Sequence, residues 1–90
     1  MTETQIKERI ALLFLSLQFD TEQMRMFTTG ERIMINQERC QWMHILNFSR
    51  AEPRPVSEKI ESKIKDIQRL VGVYDFKPFN KDPFKDEPEY

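Results

Sequence analysis

Ninety residues, 39% of them apolar, make one small domain with a modest core. Fourteen bases against fifteen acids give a formal net charge of −1, which excludes a strong general attraction to nucleic acid or to an anionic membrane. One cysteine, Cys40, excludes an internal disulfide, and two glycines in the whole chain weigh against a Gly-rich phosphate loop. The opening Met-Thr-Glu-Thr-Gln-Ile has neither a basic region nor a small-residue cleavage site. The apolar run from Ile10 to Leu17 is far short of the roughly 20 residues that span a bilayer. The expectation is a soluble, intracellular protein with no membrane contact.

The first predicted element is a helix from about Thr2 to Leu17. Thr2 is suited to cap it, with Glu3 near the positive end of its dipole. Ile6, Ile10, Leu13 and Leu17 form one stripe, widened by Phe14, while Leu12, Leu15 and Phe19 lie on the other side. A helix apolar nearly all round in its second half belongs deep in the molecule.

The second region, Met24 to Phe48, reads at about 100° per residue as a helix with two apolar stripes. Met24, Phe27, Met34, Ile35, Trp42, Ile45 and Leu46 share a broad face, and Met26, Ile33 and Cys40, spaced by seven, lie nearly opposite. Such a helix has to be covered twice. Asp20 and Thr21 are suited to cap it, whereas Gly30 costs about 1 kcal/mol inside a helix. Thr28 and Glu31 fit a capping box, so a fresh helix starting there is the alternative to one running from Thr21 to Ser49. Glu31 and Glu38 fall within the broad apolar face, so they need basic partners, with Lys59, Lys63 and Arg69 as candidates, or else a subunit interface.

Pro53 and Pro55 stop the helix and reverse the chain. Ser57 caps a third helix, whose Ile60, Ile64, Ile67 and Val71 make the cleanest amphipathic pattern, with Gly72 as terminator. It is expected to run antiparallel to the central helix. Residues 75–90 form an acidic tail containing prolines and the aromatics Phe76, Phe79 and Phe84. The tail is expected to be disordered, or else docked as an extended arm. The fold expected is all-α: a helical domain over residues 1–74, built as a three- or four-helix bundle or helical hairpin around a long central helix.

Chemistry-bearing patterns are sparse. Cys40 and His44 stand i, i+4, but two ligands are too few for a zinc site and no further Cys or His exists, so neither metal nor cofactor is expected. A lone histidine with no Gly-rich turn beside it gives no enzyme either. The expected function is a small protein-interaction module: an oligomerising adaptor, regulator, inhibitor or assembly subunit. Its partner is another copy or a larger complex, met through Met26, Ile33, Cys40 and Trp42, with Phe76, Phe79 and Phe84 as second contacts. The alternative is a helical regulator that binds nucleic acid or a nucleotide through Arg25, Arg32 and Arg39, spaced by seven, extended by Arg50 and Arg54.

Overall fold

The computed structural model describes residues 2–22, 24–48 and 53–73. Three helices account for most of them: α1 (Glu3–Glu22), α2 (Thr29–Phe48) and α3 (Glu58–Val73). Among the described residues there is no strand. The tail with Phe76, Phe79 and Phe84 lies outside the described residues, as does Arg50.

Each helix starts where a side chain answers its unpaired N–H groups. The Thr2 N–H donates to Gln5 Oε1 at 2.9 Å, and the Gln5 N–H donates back to Thr2 Oγ1 at 3.1 Å. Thr28 and Glu31 repeat this reciprocal box at 2.9 and 3.2 Å. Ser57 Oγ accepts from the Ile60 N–H at 3.4 Å at the head of α3.

The break between α1 and α2 resolves the two alternatives in favour of a restart, but not at the residues expected. Asp20 and Thr21 do not cap a second helix; they form the last turn of α1, which outruns its predicted end by five residues. Phe19, fully buried, draws the helix onward, and the Met24 N–H then bonds the Phe19 carbonyl at 3.2 Å, a six-to-one bond that closes it. The buried Asp20 carboxylate accepts the Met26 and Phe27 N–H groups, the latter at 2.8 Å, and the Arg32 guanidinium from α2. It thus holds together the end of one helix, the connecting loop and the start of the next. Gly30 lies in the first turn of α2, where it costs little.

The expected centre of the bundle also shifts. The central helix is α1, along which both α2 and α3 pack, not the Met24–Phe48 segment. The reason lies in its apolar girth. Ile6, Ile10, Leu13 and Leu17 are buried on its main stripe, and Leu12 and Leu15 also lie against the core from its other side. From α3, Ile60, Ile64 and Ile67 complete the core, with Val56 beneath the proline loop.

The order of cross-links gives the helix directions. Arg9 meets Glu38 and Asp20 meets Arg32, so α1 and α2 run in opposite senses. Glu38 meets the Val56 N–H and Glu31 meets Lys63, so α3 opposes α2, as the proline loop implied.

Replacing Asp20 by Ala leaves two loop N–H groups and a guanidinium without their acceptor. This is expected to lower the unfolding free energy by about 2–4 kcal/mol, read from urea denaturation of the full chain.

Candidate functional site

Helix α2 turns its charges inward. It carries four charged residues, Glu31, Arg32, Glu38 and Arg39. Glu38 and Arg39 are each only 2% exposed. The Glu38 carboxylate accepts from Arg9 Nε at 2.7 Å and Arg9 Nη2 at 3.0 Å, a two-pronged pair. It also accepts from Trp42 Nε1 at 2.9 Å and from the Val56 N–H at 3.1 Å. Arg9 then reaches Glu61 of α3 at 2.7 and 3.0 Å, so a single guanidinium ties all three helices.

Burial pushes the Glu38 carboxyl up, but the bonds from Arg9, Trp42 and Val56 outweigh it and hold the group below its ordinary value. Burial likewise disfavours the Arg9 cation, and its two carboxylate partners more than offset this, so it stays charged. Glu31 is held low by the Thr28 N–H and by Lys63, whose ammonium lies 3.0 Å away. Lys63 also donates to the Met26 carbonyl at 2.8 Å. The expected pairing of Glu31 with α3 is therefore present through Lys63. Lys59, though exposed, adds a weaker electrostatic pull on Glu31, whereas Arg69 pairs with Asp66 within α3.

The sequence reading missed Arg9 as the partner of Glu38. The signal was there. Arg9 stands three residues after Ile6 and four before Leu13, on the core stripe of its helix, where a charge requires a buried partner.

With its charges turned in, α2 presents an outer face that has none. Its exposed positions from Ile33 onward are Ile33, Met34, Gln37, Gln41, His44, Asn47 and Phe48. Ile33 is 46% exposed, Met34 43% and Phe48 65%. The outer faces of the neighbours differ: α1 shows Glu3, Lys7 and Glu8, and α3 shows Glu58, Lys59, Lys65 and Arg69. Beside Met34 an open groove of about 520 Å³ runs between α2 and the proline loop, bordered by Gln37, Gln41 and Pro53–Val56.

The two predicted stripes are therefore redrawn. Met34, placed on the covered face, is exposed next to Ile33, because the face that α2 turns inward is the one that carries Glu38, Arg39 and Trp42. Cys40 is half-buried at the edge of the outer face. Met26 packs on the core and Trp42 lies within it, its indole N–H committed to Glu38, so neither belongs to a free surface. Of the contacts expected from the described residues, Ile33 and Cys40 remain on the outer side.

The arginine strip does not form. Arg25 is exposed in the α1–α2 loop and off any helix. Arg32 is engaged by Asp20 and by Thr21 Oγ1 at 2.8 Å. Arg39 is buried, 5.5 Å above the Phe14 ring, and donates to Asn36 Oδ1 at 3.2 Å. Arg54 is exposed by the groove, with its backbone N–H on Gln41. Cys40 and His44 border one shallow cleft, and among the described residues no cluster of three or more His, Cys, Asp or Glu could hold a metal. No described helix is long and apolar enough to cross a membrane.

No protein family, curated protein or solved structure matches the chain.

The lowered carboxyl of Glu38 sets a pH dependence. A carboxyl held below its ordinary value stabilises the fold fully above about pH 4.5, and that contribution is lost as the pH falls through its folded value. Stability measured by urea melts at pH 7, 5, 4 and 3 is expected to fall below pH 4.5. Glu38→Gln is expected to cost roughly 2–4 kcal/mol at pH 7 and to reduce the acid slope, leaving the part that Glu31 contributes. An unchanged slope would show that Glu38 does not carry it.

Proposed function

We propose that the protein is a small interaction module that binds a protein partner through the outer face of α2. The observation that supports this reading is the inversion of charge on that helix. In a chain whose residues are 32% charged, the outer face of α2 carries no Asp, Glu, Lys or Arg from Ile33 to Phe48, and Ile33, Met34 and Phe48 are exposed there among uncharged polar residues. Depletion of charge together with Met and aromatic side chains is the composition of an interface centre. Gln37, Gln41 and Asn47 supply neutral hydrogen-bonding groups around the apolar points.

The nucleic-acid reading is less favoured, since Arg32 and Arg39 are engaged within the fold and Arg25 and Arg54 lie on separate loops, while Arg50 lies outside the described residues. An adaptor, an inhibitor and an assembly subunit would all use the same face, and the module reading covers each.

The test is a comparison of variants. A tagged full-length chain is used for capture from extracts of cells that also make the untagged chain. Washing is at about 1 M salt, where the screening length is about 3 Å. The expected result is that capture survives the salt, is lost on Ile33→Glu with Met34→Glu, and persists on Lys65→Glu with Gln68→Glu. Loss only in the α3 variant, or loss with salt alone, would contradict the reading.

A further inference from the structure

We draw no further inference here: the strongest candidate, the shallow cleft on the second half of α2 bordered by Cys40, Met43 and His44, rests on a lone cysteine, since the Met43 sulfur already accepts from Arg39 Nη1 at 3.2 Å and no second observation at the cleft points to a ligand.

Discussion

The fold turns on one buried ion pair. Arg9 of α1 and Glu38 of α2 meet in a two-pronged contact, and the remaining reach of each group goes to α3 and its approach: Arg9 to Glu61, Glu38 to the Val56 N–H. Trp42 closes the set from the next turn of α2. A carboxylate removed from water at this depth is tolerable only with its acceptor positions filled, and four donors fill them. Because those donors come from α1, α2 and the segment entering α3, satisfying one charge fixes the relation of all three helices. Apolar packing supplies the larger gross stabilisation, but it is not directional. The ion pair selects among the ways in which Ile10, Leu13, Ile35, Ile60 and Ile64 could be packed together.

Its consequence appears on the opposite side of α2. Helix geometry places residues half a turn away from Glu38, Arg39 and Trp42 in solvent, and those residues are Ile33, Gln37, His44 and their neighbours. Rotation of α2 about its axis would bury Ile33 and Met34 but would expose or orphan Glu38, at a cost that a few methylenes of burial do not repay. The apolar points on the outer face are thus held there by the charge inside. On the proposed reading, a helix held in place in this way would need little backbone ordering to receive a partner. The Asp20 cluster plays the matching part at the other end, fixing where α2 begins and hence its register against α1.

Much of this was legible in the residues. The stripe Ile6, Ile10, Leu13 and Leu17, the stripe Ile60, Ile64 and Ile67, the Thr28–Glu31 capping box and the Ser57 cap all depend on neighbours a few positions away, and local pattern reads them correctly. Glu31 and Glu38 also announced that they needed bases. What could not be read locally is which base. Arg9 and Glu38 are 29 residues apart, and the pairing depends on how two helices are placed. Met34 follows the same rule: hydropathy counts methylenes and puts it inside, whereas the inward face of α2 is set by a carboxylate with a distant partner. Local pattern makes Asp20 a cap for the helix ahead of it. Its acceptors point forward as expected, but to the loop N–H groups and Arg32, while its own backbone stays in α1.

The central claim is that Arg9 and Glu38 act as a unit. The measurement that tests it most directly is a double-mutant cycle in the unfolding free energy of the full chain at pH 7, using Arg9→Met, Glu38→Gln and the two together. The account predicts that the second substitution costs little once the first is made, with a coupling of about 2 kcal/mol. Additive losses, with a coupling near zero, would contradict it.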